Sequence, residues 1–238
     1  FPTRRSSDLK ISDIILLGTD RIHLFDTPLL MCRNQGLSME QRAAKRVLDI
    51  IVSGLGIIVS SPIMLIIAIA VKAYDGGPVF YLQDRLTYQG KEFRIRKFRS
   101  MCVDSEKNGA RLASKHDSRI TPVGHVLRNL HLDELPQLFN VFMGDMSLVG
   151  PRPERDVIMQ EYEQEIPEFH YRLKVKAGLT GYAQVYGKYN TTPYDKLKLD
   201  LFYIENYSFL LDIKLLFMTV KIFFQKEVSE GVDDNQKN

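Results

Sequence analysis

The most pronounced feature of the hydrophobic pattern is an apolar run from Ile50 to Val71 that contains no charged residue. A straight helix over this run is about 33 Å long, and the hydrocarbon core of a bilayer is about 30 Å thick. The alternative is a buried core helix, but uncharged stretches of this length are unusual for one. The pattern therefore predicts a helix that inserts into a membrane.

Ser60, Ser61 and Pro62 lie near the middle of this apolar run. Proline removes one backbone hydrogen bond and clashes with the preceding turn, so it predicts a kink or a break. The two serine hydroxyls could bond the backbone groups that the proline leaves without a partner.

Basic residues flank the run on both sides, with Arg46 before it and Lys72 after it. Because basic residues favour the cytoplasmic side, these flanks favour a re-entrant hairpin over about 47–72 that enters and leaves on one side. Each half would be only about 16 Å long, too short to cross. A kinked spanning helix is the alternative that the pattern leaves open.

Beyond the apolar run, the pattern predicts a small β-hairpin. Val79–Tyr81 and Phe93–Arg96 read as strands around a turn at Gln89-Gly90. Further along, residues 121–142 look helical on either side of a break at 132–136. Residues 194–225 carry apolar side chains at helical spacing, typical of a core helix or of an amphipathic helix at the membrane interface.

The two ends of the chain differ from the rest. Residues 1–9, FPTRRSSDL, resemble a translated sequencing adapter, and a genuine disordered terminus is the alternative. If the resemblance is correct, the natural chain starts further upstream. Residues 10–40, with a strand at Ile14–Leu17, are predicted to be the remnant of an upstream domain and a linker. The main domain is predicted over 41–231, followed by a polar tail at 232–238.

Composition narrows the class of protein. The chain has 238 residues, of which 45% are hydrophobic and 26% charged, and this excludes a disordered or fibrous chain. A net charge of +3 is too small to indicate a nucleic-acid partner, so none is predicted. The two cysteines, Cys32 and Cys102, cannot build a disulfide framework or a four-cysteine zinc site.

Positive charge is nevertheless concentrated between Arg85 and Arg128, where 11 Lys or Arg residues face 4 Asp or Glu residues. A solvated face beside anionic lipid headgroups explains this. A site for a polyanion such as a nucleotide diphosphate explains it as well, and the two explanations are compatible.

Two short segments carry the candidate chemistry. In LDELP, Asp133 and Glu134 precede Pro136, which suits the first turn of a helix; spacing alone also permits Asp133 to be a helix cap. In SLVGPRP, two prolines and a glycine surround Arg152, and a rigid loop of this kind can fix a guanidinium that binds phosphate. An ordinary turn with a surface arginine is the alternative for the second segment.

Taken together, the motifs resemble the bacterial sugar transferase family, the monotopic polyprenyl-phosphate phosphoglycosyl transferases. The resemblance covers roughly residues 41–231. The motifs occur in the order KRVLDI, the apolar run broken at Ser61-Pro62, KFRSM, LDELPQLFNV, GDMSLVGPRP and GLTGYAQV. The LDELPQL and SLVGPRP segments are the most specific of these.

This resemblance implies an α+β fold with a re-entrant helix-break-helix hairpin and a mainly helical cytosolic catalytic domain. That domain would carry a small β-hairpin and interfacial amphipathic helices. It also implies the reaction: transfer of a sugar-1-phosphate from a UDP-sugar to undecaprenyl phosphate, with release of UMP. This step initiates exopolysaccharide, capsule or glycoconjugate assembly at the cytoplasmic face of the bacterial inner membrane. A homo-oligomer is left open.

The family's site residues can be placed on this chain. Asp133 and Glu134 correspond to the catalytic pair, with Asp133 as the nucleophile that forms a covalent phospho-sugar intermediate and Glu134 as the ligand of Mg²⁺. Arg152, Lys97 and Arg99 are expected to bind phosphate. Arg128 is expected to support the site, and one role for it is to bond the carbonyls freed at Ser61-Pro62.

Two other functions compete with this one. The first is a membrane scaffold that has lost catalysis, and the second is a peripheral module that reads anionic lipid. The chain also departs from the family after GLTG, where it has Tyr186, Gly187 and Lys188 instead of the more common NGR sequence. This departure prevents a prediction of the sugar.

Overall fold

The computed structural model describes residue 11 and residues 19–24, 27–32, 38–103, 117–187 and 191–223. The predicted adapter segment 1–9, the strand predicted at Ile14–Leu17, Lys188 and the polar tail 232–238 lie outside the described residues.

The described residues form mainly helices, together with short strands that pair into three two-stranded sheets. The strands are β1 (Thr19–Leu24), β2 (Thr27–Cys32), β3 (Phe80–Leu86), β4 (Glu92–Phe98), β5 (Ser147–Val149) and β6 (Gly178–Thr180). The helices are α1 (Met39–Asp75), α2 (Pro122–Asn129), α3 (Gln137–Met143), α4 (Asp156–Glu165), α5 (Tyr182–Tyr186), α6 (Pro193–Glu205) and α7 (Phe209–Phe223). Short 3₁₀ segments occupy Tyr88–Gly90, Leu132–Glu134 and Pro167–Lys174. The predicted combination of helices with a small hairpin is confirmed.

Helix α1 begins with a capping box. The Ser38 hydroxyl accepts from the Gln41 amide, the Gln41 side chain accepts from the Ser38 amide, and Gly76 ends the helix at a φ of 69°. Pro62 lies inside the helix, and the Ser61 hydroxyl donates to the Ile58 carbonyl at 2.8 Å. That carbonyl is the one that loses its partner to proline. The predicted role of a serine is thus confirmed.

The predicted separation of α1 into two helices is not seen, because the helix runs on through Pro62 as one element. It is long and apolar enough to cross a membrane, and side chains such as Val59 (76% exposed) and Ile66 (67%) point away from the protein. These features indicate membrane association. The re-entrant path stays a prediction.

Both ends of α1 pack against the rest of the domain. Near its start, Lys45 is buried and forms an ion pair with Asp212 of α7 at 2.6 Å. Near its end, Val71 is buried in a small apolar cluster with Phe98 and Leu127. Between these contacts Met64 and Ile67 are also buried in that cluster, whereas other apolar side chains, such as Val59 and Ile66, are exposed.

Strands β3 and β4 form the predicted antiparallel hairpin, in a register that pairs Tyr81 with Lys97 and Arg85 with Phe93. The turn falls at the predicted position, and both Gln89 (φ 57°) and Gly90 (φ 74°) adopt the left-handed conformation. Phe93 and Ile95 are buried, as their alternation with arginines predicted.

The main core lies between β5, β6 and the C-terminal helices. It includes fully buried side chains such as Met146, Phe169, Leu197 and Leu215. The helical segment predicted at 194–225 is confirmed as far as residue 223 but divides into α6 and α7, and residues 224–225 lie outside the described residues. Helix α7 combines buried Leu215 with exposed apolar side chains such as Leu210 and Phe217, and its position at a membrane interface stays a prediction.

Candidate active site

The catalytic pair predicted from the sequence lies in the 3₁₀ turn Leu132–Glu134, between α2 and α3. Leu132 on this turn and Leu135 just after it pack against the small apolar cluster that contains Phe98 and Leu127. Neither the turn nor α3 is capped by a side chain, so Asp133 is not a helix cap. The hydrophobic contacts hold the turn in place and leave the two carboxylates without a structural role as caps.

Asn140 fixes helix α3 to strand β4. Its side chain is completely buried, its Oδ1 accepts from the Arg96 amide at 3.0 Å, and its Nδ2 donates to the Arg94 carbonyl at 2.8 Å. A side-chain amide that replaces ladder bonds in this way sets the distance between the two elements. The motif LFNV therefore positions β4, which carries Lys97, against the turn with Glu134.

Glu134 lies between two cations. Lys97 Nζ is 2.6 Å and Arg152 Nη2 is 2.8 Å from the same oxygen, Oε1 of Glu134. Burial by itself would raise the pKa of Glu134, but the charges of Arg152 and Lys97 outweigh it and lower the pKa to about 2. Glu134 is therefore ionised at neutral pH.

Asp133 has the opposite environment. Burial raises the pKa of its carboxyl above the ordinary value, and the charge of Lys97 offsets only part of this increase. Among the described residues, its carboxylate forms no ion pair. Two adjacent carboxylates with pKa values shifted in opposite directions are typical of residues that have different tasks in one site.

Arg152 is held on a loop by the short parallel pair β5–β6. The Gly150 amide donates to the Thr180 carbonyl and the Gly178 amide to the Pro151 carbonyl, both at 2.8 Å. A Cβ on Gly178 would come within 2.1 Å of the Gly150 nitrogen, so only glycine permits this approach. The GLTG motif, to which the sequence assigned no task, thus holds the loop that carries Arg152.

Two other predicted residues lie in different surroundings. Arg99 is buried and bonds to Asp75 at the end of α1; it makes no ion pair with Glu134. Arg128 donates through Nε to the Ser100 hydroxyl at 2.9 Å, and not to the carbonyls near Ser61-Pro62. Of the phosphate-binding residues predicted from the sequence, the structure therefore brings Lys97 and Arg152 to Glu134, but not Arg99.

Alternate residues of β3 form a polar row beside Lys97. Tyr81 is directly opposite Lys97 in the hairpin, Gln83 Nε2 donates to the Tyr81 hydroxyl at 2.8 Å, and Arg85 Nε donates to Gln83 Oε1 at 3.0 Å. The three side chains are half-buried, whereas the intervening residues are exposed. This row was not singled out from the sequence, although its period of two was a usable signal.

Behind the Arg152 loop lies a buried group of charges that sequence reasoning missed. It comprises Glu154, Arg172 and Asp200, with side chains that are 13%, 2% and 1% exposed. A signal existed in the case of Asp200, because this charged residue shares the apolar face of α6 with Leu197 and Leu201. A charge on a core face is rare unless it is paired.

The described residues contain no group of three or more His, Cys, Asp or Glu side chains that could hold a metal ion by themselves. Mg²⁺ commonly binds through one or two carboxylates together with substrate phosphates, so a site of this kind does not need such a group. Both cations contact Oε1 of Glu134, and within the described part of the chain no bond reaches Oε2. The donor set is therefore compatible with Mg²⁺.

The site thus combines an ionised carboxylate, Glu134, held by Lys97 and the half-exposed Arg152, with a second carboxylate, Asp133, whose pKa is raised. This arrangement suits chemistry on phosphate groups. The comparison with known proteins agrees. Residues 40–226 match the bacterial sugar transferase family, and the chain belongs to this family. The resemblance stated from the motifs is thereby confirmed.

Three curated relatives indicate the reactions found in the family. An Aeromonas hydrophila protein, named UDP-N-acetylgalactosamine-undecaprenyl-phosphate N-acetylgalactosaminephosphotransferase, is 44% identical over 74% of this chain and 43% of its own length. A Klebsiella pneumoniae UDP-glucose:undecaprenyl-phosphate glucose-1-phosphate transferase is 43% identical over 85% and 43%. A Salmonella typhimurium undecaprenyl-phosphate galactose phosphotransferase is 37% identical over 89% and 47%. The chain spans less than half the length of these relatives.

Proposed function

We propose that this protein transfers a sugar-1-phosphate from a UDP-sugar to undecaprenyl phosphate and releases UMP. The observation that carries the proposal is the position of Glu134 between Lys97 and Arg152, directly beside Asp133. The names of the three relatives support the substrate class, since each includes undecaprenyl phosphate. They differ in the sugar, so the sugar used by this chain is left open.

Asp133 is the nucleophile in this proposal. One of its carboxylate oxygens attacks the β-phosphorus of the UDP-sugar, the bond from that phosphorus to the bridging oxygen breaks, and UMP leaves. An oxygen of the lipid phosphate then attacks the same phosphorus and displaces the Asp133 carboxylate, giving the lipid diphospho-sugar. Splitting the transfer into two displacements makes each of them easier.

The surroundings of the two carboxylates support this assignment. Burial raises the pKa of Asp133, and a carboxylate that is poorly stabilised is a better nucleophile. Glu134, in contrast, bonds to both Lys97 and Arg152. Its charge is already neutralised by these cations, so it is the weaker candidate for attack.

The cations have a second task, which is to balance the charge of the donor. The Arg152 side chain is 43% exposed, so its guanidinium can bind a diphosphate without a movement of the loop that carries it. Lys97 approaches from the strand on the other side of Glu134. A bound Mg²⁺ would be held by Glu134 together with donor phosphate oxygens and would neutralise charge on the diphosphate.

The contacts of α1 support a path that begins and ends on one side of the membrane. Lys45 near its start and Val71 near its end both contact the same domain. A helix that crossed the bilayer would place these two contacts, and so two parts of one domain, on opposite sides of the membrane. A re-entrant path would place the Asp133 turn at the depth of the lipid phosphate. The basic flanks and the UDP-sugar donor favour the cytoplasmic face.

The reaction is tested by measuring UMP release from detergent-solubilised protein with undecaprenyl phosphate, Mg²⁺ and a panel of UDP-sugars. We expect release with at least one sugar and its loss in Asp133→Asn. The matched control is Asp84→Asn, which changes an exposed aspartate on β3 and should retain activity. Full activity of Asp133→Asn would contradict its role as nucleophile, and an inactive wild type would favour the scaffold.

The path of α1 is tested separately with cysteines introduced near Arg46 and Lys72, in a chain whose Cys32 and Cys102 have been replaced by serine. In right-side-out and inverted vesicles, a re-entrant helix predicts that both positions react with an impermeant reagent from the same side. Reaction from opposite sides would show a spanning helix and would contradict this part of the proposal.

A further inference from the structure

The loop that carries Arg152 is held from behind by hydrogen bonds to three consecutive carbonyl oxygens. The carbonyl of residue 152 accepts from Arg172 Nη2 at 2.9 Å, and that of residue 153 accepts from Arg85 Nη1 at 3.0 Å. The carbonyl of residue 154 accepts from the Leu86 amide at 3.0 Å. The donors come from β3 and from the 3₁₀ segment Pro167–Lys174, so two separate parts of the domain fix this loop.

Arg172 is the central group of this arrangement. Its side chain is only 2% exposed and forms ion pairs with Asp200 at 2.8 Å and with Glu154 at 3.4 Å. Its guanidinium also lies over the Phe169 ring, 4.9 Å from the ring centre. Because it is enclosed on all these sides, Arg172 is unable to contact a substrate itself.

A buried group of charges is a costly way to obtain stability, since well-packed apolar residues would serve as well or better. Such a group can be more useful in fixing one geometry. Here both arms of the planar guanidinium fork are used: Nη2 donates to the Arg152 carbonyl and forms the ion pair with Asp200 of α6, and Nη1 forms the ion pair with Glu154. A lysine has one compact ammonium and lacks this rigid fork.

Apart from the rotation that the hydrogen bond from Arg172 fixes, the backbone at Arg152 has little conformational freedom. Pro151 and Pro153 flank it, and each proline fixes its own φ. Pro153 also restricts the conformation of the residue before it, which is Arg152. A bond to the Arg152 carbonyl sets the remaining rotation and therefore the direction in which its side chain leaves the loop.

We propose that Arg172 is a positioning residue for Arg152: it sets the direction of the Arg152 guanidinium through the bond to its carbonyl. This inference rests on the proposed function, in which Arg152 binds the donor diphosphate. Arg172 acts on donor affinity only through Arg152. Glu154 and Asp200 hold Arg172 in the orientation that this task needs.

The test is a double-mutant cycle between Arg172→Lys and Arg152→Ala, with UDP as the probe and its Kd measured by calorimetry in detergent with Mg²⁺. We expect Arg172→Lys to raise the Kd for UDP about tenfold when Arg152 is present, the scale of one charge-assisted hydrogen bond. In the Arg152→Ala background the same change should alter the Kd less than about twofold. Arg94→Lys, at an exposed ion pair, is the matched control and should behave as wild type.

Stability must be separated from positioning. Asp200→Asn keeps an oxygen acceptor for Arg172 but removes the buried charge, so we expect a lower melting temperature with UDP affinity retained. If Arg172→Lys does not fold, Arg85→Lys replaces it in the cycle, because Arg85 is less buried and bonds the adjacent carbonyl. Arg85→Lys is then expected to raise the Kd for UDP when Arg152 is present and to leave it nearly unchanged in the Arg152→Ala background.

Each outcome has a distinct meaning. Equal loss of affinity in both backgrounds, or no loss in either, would overturn the positioning role and leave the proposed function intact, provided that Arg152→Ala weakens binding. UDP affinity that does not respond to Arg152→Ala would overturn both the binding role of Arg152 and the inference. A wild type that neither binds UDP nor releases UMP would overturn the proposed function and the inference with it.

Discussion

Two groups of charges lie on either side of the Arg152 loop and differ in how they face solvent. The site group, defined by Lys97, Glu134 and Arg152, is half-buried, and the Arg152 side chain is 43% exposed. The brace group, defined by Glu154, Arg172 and Asp200, is almost completely enclosed. The site group can exchange its internal partners for a ligand, whereas the brace group has no access to one.

The difference shows how one loop can serve rigidity and binding at the same time. In the brace group each charge is surrounded by opposite charge and backbone, so removing one partner leaves another buried and uncompensated. In the site group solvent can replace a missing partner. Substitutions of Glu154 and Asp200 should therefore affect mainly stability, and those in the site group mainly binding and catalysis, whereas Arg172 links the two groups because it acts on binding through Arg152.

The largest effect on stability is expected for Asp200→Ala, which removes the nearer of the two ion-pair partners of the buried Arg172 guanidinium and leaves only Glu154 at 3.4 Å. We expect the free energy of unfolding in detergent to fall by about 3–5 kcal/mol. Asp84→Ala removes an exposed ion pair with Arg94 and should cost less than about 1 kcal/mol. Similar losses for the two variants, measured by denaturant or thermal unfolding, would contradict the contrast between enclosed and exposed pairs.

The next effect concerns catalysis. Glu134→Gln keeps the shape of the side chain but removes the charge that lies between Lys97 and Arg152. We expect UMP release to fall about 10²-fold, the scale found when one electrostatic group is removed from an active site. The melting temperature should change little, because both cations remain accessible to water. A variant that unfolds readily would show that the site group is structural.

The pH dependence sharpens the contrast within the site group. Burial raises the pKa of Asp133, so its nucleophilic, ionised form is lost as the pH falls, at a higher pH than for an ordinary aspartate. Glu134, whose pKa is about 2, stays ionised over this range. The rate of UMP release, measured against pH with substrate saturating, should therefore decline on the acid side.

The raised pKa also makes a prediction for stability. A carboxyl whose pKa is higher in the folded state than in the unfolded state binds protons more readily when folded, so the folded state loses stability as the pH rises through that pKa. Asp133→Asn removes this cost at neutral pH. We expect its melting temperature to equal or exceed that of the wild type, and a clear decrease would contradict the assigned environment.

The smallest effect is expected from salt. Raising NaCl from about 0.05 to 0.5 M should weaken UDP binding several-fold, because the site group is exposed to screening ions. The brace group is shielded, so the melting temperature should change much less. Equal sensitivity of the two measurements to salt would remove the distinction between the groups.

The sequence by itself determined the elements whose signals are local. The membrane helix followed from an uncharged run, the hairpin from alternation around Gln89-Gly90, and the carboxylate pair from LDELP. The role of Ser61 followed from the chemistry of the adjacent Pro62. In these cases the physical cause lies within a few residues, so it can be read from the chain.

Only the tertiary structure decided which charges meet. Lys97 and Arg99 are two residues apart, yet Lys97 contacts Glu134 and Arg99 contacts Asp75. Arg172 reaches the Arg152 carbonyl across 20 positions of sequence, and Arg128 bonds Ser100 instead of the α1 carbonyls. Basic side chains are interchangeable in a sequence pattern. Their partners depend on burial and on the direction of each side chain, which are set when distant segments pack together.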